Sequence, residues 1–369
     1  MRAEAVMGLL SDEVLDFLSA ATQADYKVHK LTGAVLFKLR VLEGVFNSYR
    51  FKVSAHLAPE VHTRYNSIRD RIATLPSLYF KTLFEHCLTT YHKLLPPQEQ
   101  QRLIRYDSTM VAVSAQLLYF GIHAGEKTNK KQVKFSIGFD GLLPCSAKAF
   151  IHKSYTSENV ALSELILASS CSPSDIAVFD RGLQCRRKLC TLVDSGVLFV
   201  TRLKTDARLE VIRTAALKGG DRLASVRLHS DQQVYLFDRG GKIACPFRLV
   251  KATIKKTGEP IWFLTNITTL AAAAIAGLYK KRWDIEVFFR FLKQELNFNH
   301  ILVRTPNAIE SMLYVTLIVS ILLAVYGKVN GLGGYKHLKL RFAQELEEDL
   351  IKQVVLLCGG DPRKMQIPP

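Results

Sequence analysis

Residues 176–182, IAVFDRG, decide how the middle of the chain is read. Ile176, Ala177, Val178 and Phe179 form an unbroken apolar run of the length and composition of a strand buried on both faces. Asp180 ends the run, and Arg181-Gly182 turns the chain at once. A carboxylate so placed stands at the carboxyl end of a sheet strand, where α/β sheets present their ligand-binding groups. Upstream, LIRYDSTMVAV (103–113), LLYFGIH (117–123), KQVKFSIGFD (131–140) and LPCSAKAFI (143–151) are short runs rich in β-branched and aromatic residues, with Asp140-Gly141 as a turn. ENVALSELILASS (158–170) and QCRRKLCTLVDSG (184–196) read as helices, and VLFVTRL (197–203) as another strand. Strands in meander followed by strands alternating with helices predict an α/β domain with a mixed sheet.

The flanks are different in kind. From Ser11 to about Leu95 the apolar spacing is helical, with Ser11 as N-cap, and Pro96-Pro97 closes a small helical domain. Strand patterns return over 206–266, a β-rich insertion, and a long helix follows at 269–296. The expected boundaries are thus 1–98 helical, 99–205 α/β, 206–266 insertion, 267–330 the rest of the α/β domain and 331–369 a tail. The run SMLYVTLIVSILLAVY (311–326) is shorter than a bilayer requires and carries Ser311, Thr316 and Ser320, so it reads as a buried core helix, and no membrane partner is expected.

Charge points to the partner class. Fifty Lys and Arg against 33 Asp and Glu leave +17, a surplus that attracts polyanions at long range, nucleic acid foremost. The seven cysteines show neither a C-x-x-C pair nor a Cys/His cluster at zinc spacing, consistent with reduced thiols in a cytoplasmic protein. Lys38, Arg40, Arg50, Lys52, Arg64, Arg69 and Arg71 decorate the N-terminal helices, where 33–57 has the length of a helix-turn-helix unit. GEKTNKKQVK (125–134) adds a basic loop suited to the DNA backbone.

Metal-assisted phosphodiester transfer needs carboxylates brought together from different elements. Asp107, inside the first strand run and followed by Ser108 and Thr109, and Asp180 meet that requirement, although either one alone also fits a cap or turn aspartate. The third acid comes from LYKKRWDIEVFFRFLKQEL (278–296). Tyr279, Arg282, Glu286 and Lys293 are spaced three, four and seven apart, which keeps them within about 60° of one helical stripe. Ile285, Phe288, Phe291 and Leu292 form the apolar arc, while Asp284 and Glu295 fall away from the stripe, so Glu286 is the acid selected. A solvated face of Arg, Glu and Lys pairs has the same pattern.

These residues resemble the DDE transposases of bacterial insertion sequences, specifically the IS-four family with its Tyr-x2-Arg-x3-Glu-x6-Lys signature. Tyr279, Arg282, Glu286 and Lys293 fit every spacing, and Tyr106-Asp107-Ser108-Thr109 and Phe179-Asp180-Arg181-Gly182 are similar to the two aspartate blocks. The resemblance implies a ribonuclease H-like fold on which Asp107, Asp180 and Glu286 hold two Mg²⁺ or Mn²⁺ ions. It further implies DNA as partner, as transposon terminal inverted repeats and target, with phosphate contacts from Tyr279, Arg282 and Lys293, and a homodimer that pairs two ends. Trp262 occupies the place of a base-stacking tryptophan in hairpin-forming relatives, and a core tryptophan fits the same position. A nuclease of the same fold without strand transfer, or a DNA-binding remnant, shares most of these features. Asp238-Arg239-Gly240-Gly241 repeats the Asp-Arg-Gly string but reads as a hairpin turn.

Overall fold

The computed structural model describes residues 1–46, 65–95, 102–113, 122–123, 131–151, 157–169, 172–217, 225–299 and 305–365. Residues 47–64, with Arg50, Lys52, Arg64 and most of the second half of the expected helix-turn-helix, lie outside them, as do 124–130 of the basic loop and Cys171.

In chain order the helices are α1 (Ala3–Met7), α2 (Asp12–Ala21), α3 (Gly33–Phe46), α4 (Tyr65–Thr74), α5 (Ser77–His92), α6 (Glu158–Ala168), α7 (Arg186–Asp194), α8 (Ala272–Lys280), α9 (Asp284–Gln294), α10 (Pro306–Val329) and α11 (Tyr335–Leu357). The strands are β1 (Leu103–Val113), β2 (Ile122–His123), β3 (Lys131–Phe139), β4 (Pro144–Phe150), β5 (Ile176–Phe179), β6 (Leu198–Leu203), β7 (Leu209–Ala215), β8 (Val226–Asp238), β9 (Gly241–Ile254) and β10 (Pro260–Thr265). They assort into two compact units, Gln98–Met110 with Lys134–Phe288, and Met1–Pro97 with Val111–Val133 and Phe289–Pro369.

The first of these units is built on the sheet. Strands run in the order β3-β1-β5-β6-β10-β9-β8-β7, with β4 also paired to β3. β5 is parallel to both β1 and β6, whereas β10 pairs antiparallel with β6 and β9, and β8 antiparallel with β9 and β7. The expected mixed α/β architecture is therefore present, and the β-rich segment 206–266 continues the same sheet rather than standing apart from it. The reason lies in β10: Ile261, Phe263 and Leu264 are buried, and such a strand needs neighbours on both edges.

Two apolar layers cover the sheet. On one face Ile104, Tyr106, Ala177, Phe179, Phe199 and Leu264 pack with Leu162, Leu165 and Ile166 of α6 and Leu189 and Leu192 of α7. On the other, Ile176, Val178, Val200, Ile261 and Phe263 pack with Ala272, Ile275, Ala276 and Tyr279 of α8. Because successive side chains of a strand alternate between faces, this layering assigns a face to every strand residue nearby.

The helix expected as one piece over 269–296 is two. A 3-10 turn at Lys281–Trp283 separates α8 from α9. Arg105, buried on β1, explains the break. Its Nε donates to the Lys281 carbonyl at 3.1 Å and its Nη2 pairs with Asp284 at 2.8 Å, while Nη1 donates to the carbonyls of Leu103 and Asp140. That same carbonyl still accepts the Asp284 amide, in the i→i+3 pattern of a 3-10 turn, so the arginine holds the tighter turn in place.

In the second unit the N-terminal helices pack with the C-terminal ones, Met1–Pro97 grouping with Phe289–Pro369. The Ser77 amide and hydroxyl donate to Asn307 and Glu310 at 2.7 Å, and the Tyr91 hydroxyl donates to the Val6 carbonyl. Residues 335–357, expected within a tail, form α11, because Leu338, Phe342 and Leu346 recur at four-residue spacing and are all buried. The 311–326 run is the buried core helix expected; within α10, Ser311, Thr316 and Ser320 donate to carbonyls of their own helix, which satisfies each hydroxyl in an apolar surrounding.

Candidate active site

Strand alternation puts Arg105 and Asp107 opposite Ile104 and Tyr106, on the sheet face that α8 covers. Asp180 follows Phe179 and so shares a face with Val178, again under α8. β1 and β5 are parallel neighbours with Tyr106 opposite Phe179, which sets Asp107 and Asp180 side by side at the ends of the paired stretch. Each aspartate is held locally by the next amide, Asp107 Oδ1 by Ser108 at 2.8 Å and Asp180 Oδ1 by Arg181 at 2.7 Å.

The third acid is connected through the helical elements. Tyr279 donates its hydroxyl to Asp180 Oδ1 at 3.0 Å. Arg282 reaches Asp107 Oδ2 with Nη1 at 3.5 Å and bonds Glu286 Oε1 with Nη2. Asp107, Asp180 and Glu286, separated by up to 179 positions in sequence, are thus tied together by the two residues of the signature that precede Glu286. The 3-10 turn leaves the stripe usable: Tyr279 lies in the last turn of α8, Arg282 sits in the 3-10 turn and Glu286 lies in the first turn of α9, where the helix dipole favours an anion. Asp284, off the stripe as expected, is spent on Arg105.

Charge at the site is unbalanced. Burial pushes the Asp107 carboxyl up to about 6, with the charges of Glu158 and Asp180 adding to it and the Ser108 amide and Arg282 opposing. Burial by itself would lower Arg282, but Glu286, Asp180 and Tyr279 outweigh it and the guanidinium is held above its ordinary value. Tyr279 is raised, by burial first and then by Asp180, and so stays a hydroxyl donor. Lys293, two turns along α9 from Glu286, is lowered by burial.

Carboxylate oxygens contributed by two strands and a helix suit a hard divalent cation. Asp107, Asp180 and Glu286 outnumber the cationic Arg282 and the nearby Arg202, while Glu158 is paired with Lys134, so added positive charge is accommodated. Among the described residues no three acidic, histidine or cysteine side chains converge around a common point, and the Arg282 guanidinium stands between Asp107 and Glu286. It is in kind and in charge that the residues present fit a divalent metal.

Trp262 is not gathered with them. It packs against the α6 and α7 layer, on the sheet face away from Asp107 and Asp180, with Lys251 Nζ 4.6 Å from its ring centre. Strand parity decides this, since Ile261 and Phe263 take the α8 face. Asp238 is a turn residue as expected, accepting from the Gly240 amide and from Arg187. Of the basic N-terminal residues, Arg71 is used internally, pairing with Asp25 and donating to the carbonyls of Ala24 and Leu31, and Lys38 and Arg69 pair with Asp12 and Asp70. Sequence reading did not find Glu158 and Lys134. The available signals were an acid in the first turn of a helix and a lysine in the middle of an apolar strand.

Comparison with known proteins gives the family. Residues 98–322 match the family described as "Transposase DDE domain". A protein of Geobacillus stearothermophilus named as a transposase for insertion sequence element IS5377 is 24% identical over 331 residues, 85% of this chain and 82% of that one. A protein of Synechocystis sp. (strain ATCC 27184 / PCC 6803 / Kazusa) named as a transposase for insertion sequence element IS4SA is 26% identical over 249 residues, 67% of each chain. One of Sinorhizobium fredii (strain NBRC 101917 / NGR234), named as transposase y4zB, is 33% identical over 157 residues, which is 42% of this chain and 43% of that relative's length.

Proposed function

We propose, from the premise that this chain belongs to the family of DDE-domain transposases, that it cleaves the ends of an insertion sequence and joins the freed 3′ strands to target DNA. The observation that carries this reading is the linkage of Asp107, Asp180 and Glu286 through Tyr279 and Arg282 on one face of the sheet. The strand order β4-β3-β1-β5-β6, with β1, β5 and β6 parallel, supports a ribonuclease H-like core.

Asp107, Asp180 and Glu286 would hold two Mg²⁺ or Mn²⁺ ions, which supply activation of water or a 3′-hydroxyl and stabilisation of the leaving oxygen. The protein's own part is positional. Asp107 and Asp180, just past the paired stretch of β1 and β5, are fixed by their neighbouring amides, and Glu286 is delivered by a helix that Arg105 clamps to β1. Arg282 and Tyr279, now bonded to carboxylates, are the donors placed to take phosphate oxygens of the transposon end: the guanidinium as a fork, the phenol as a neutral donor. Lys293 adds a point charge further along α9. A homodimer would pair two ends, in the bacterial cytoplasm where the genome lies.

The test is strand cleavage and joining on a plasmid carrying the DNA that flanks this reading frame, whose short inverted repeats define the ends. Glu286→Ala is expected to bind end DNA as the parent does and to cut none of it. Hydrolysis without joining by the parent chain would reduce it to a nuclease, and end binding without cleavage to a DNA-binding remnant.

A further inference from the structure

Beside the three acids, on the same sheet, lies a charged pair to which the proposed reaction assigns no role. Lys134, in β3, is 1% exposed, and its Nζ donates to Glu158 Oε1 at 2.8 Å. Glu158 is the first residue of α6, and its Oε2 accepts from Ser108 Oγ at 2.8 Å. A hydroxyl has one proton to give, so in the 2.7 Å contact between Ser108 and Ser136 the donor is Ser136. Ser108 is the residue whose amide holds Asp107 Oδ1.

Glu158 also touches the other aspartate block. A Cβ added at Gly182 would come within 3.1 Å of Glu158 Cγ and 3.2 Å of its Cβ, so glycine in the Asp180-Arg181-Gly182 turn leaves the room that this side chain fills. One carboxylate is therefore keyed to the residue after Asp107 and to the second residue after Asp180.

We propose that Lys134 and Glu158 are positioning residues for the carboxylate centre, their ion pair fixing Ser108, and through it Asp107, against the Asp180 turn. This rests on reading Asp107, Asp180 and Glu286 as cation ligands. Stability alone does not account for the pair, because replacing a buried ion pair with apolar side chains of similar volume is often neutral or favourable. Orientation does account for it: groups that hold metal ligands in place typically change metal affinity 10- to 100-fold when removed.

The experiment is calorimetric titration of the full chain with Mn²⁺ alone, alongside thermal unfolding, for the parent, Asp107→Asn, Glu158→Gln, Ser108→Ala and the double variant Lys134→Met/Glu158→Gln. Expected are loss of measurable binding for Asp107→Asn, a roughly tenfold weaker Kd for Glu158→Gln and a several-fold weaker one for Ser108→Ala, which removes only a hydroxyl and keeps the fold. The double variant separates the roles, since replacing both charges at once relieves the uncompensated ammonium. Its melting temperature is expected to return to that of the parent while its Mn²⁺ affinity stays low. Mn²⁺ affinity that recovers together with stability in the double variant, or parental affinity in folded Glu158→Gln and Ser108→Ala while Asp107→Asn binds none, overturns the positioning role and leaves the metal reading standing. Equal Mn²⁺ binding by the parent and Asp107→Asn overturns both.

Discussion

Arg71 and Arg282 are both arginines set against largely covered carboxylates, and their surroundings differ in the one respect that separates structure from chemistry. Asp25, the partner of Arg71, accepts also from the Gly33 amide and the Ser19 hydroxyl, and Arg71 donates further to two carbonyls. One charge meets one charge, and both groups are hydrogen-bonded besides. Arg282 instead bonds Asp107 and Glu286 with Asp180 close by, so one guanidinium faces three carboxylates. A balanced pair holds a fold together; an anionic surplus kept in place by the fold is what the proposed cation site requires.

The largest effect should fall on chemistry alone. Glu286→Ala is expected to reduce strand cleavage at least about a thousandfold, about 4 kcal/mol in the barrier, with its melting temperature near that of the parent. A variant that cuts at even a tenth of the parental rate removes Glu286 from the centre. At the other arginine, Asp25→Ala leaves Arg71 half-buried without its charge partner and should cost about 2–3 kcal/mol of stability, below the range for a fully enclosed pair because both side chains retain some exposure. Chemical denaturation reads this directly, and an unchanged midpoint would erase the contrast drawn here.

A smaller effect has the opposite sign. The folded protein lifts Asp107 above its ordinary value of 3.8 to about 6, so the stability this group contributes is fully present below 3.8 and is lost as pH rises through about 6. In the presence of a chelator, Asp107→Asn should therefore melt higher than the parent at pH 8, by about 2 °C for a change on the order of 1 kcal/mol, with the advantage gone at pH 4. Differential scanning calorimetry at the two pH values checks it, and an Asn variant that is the less stable of the two at pH 8 would place Asp107 in the same class as Asp25. The smallest change is expected at Trp262. Trp262→Phe, on the face away from the acids, should leave cleavage within about threefold and cost on the order of 1 kcal/mol in packing, as for a modest loss of core volume; a tenfold loss of cleavage would bring the tryptophan back to the DNA.

Asp107, Asp180 and Glu286 could be picked out in the chain as candidates because local patterns mark them: an aspartate within a strand run followed by Ser-Thr, an apolar run halted by Asp-Arg-Gly, and polar residues returning at three, four and seven. The mixed α/β class was legible for the same reason. Lys134 and Glu158 were not, since each looks ordinary among its own neighbours and they meet across 24 positions. Trp262 was open between two roles because a residue's distance along the chain from Glu286 carries no information about which side of a sheet it takes.

The sequence by itself determined most of the strands and helices, which acids are candidates for the site and that a polyanionic partner is expected, because periodicity, turn chemistry and net charge act over a few residues or over the whole chain at once. Tertiary structure decided the break between α8 and α9, held by an arginine from β1, the placement of Trp262 on the far face, the joining of the N-terminal helices to α10 and α11, and the Glu158 bridge between two aspartate blocks. Each of these depends on groups brought together from distant positions, where the energy of a contact is set by burial and facing partners rather than by the residues next in line.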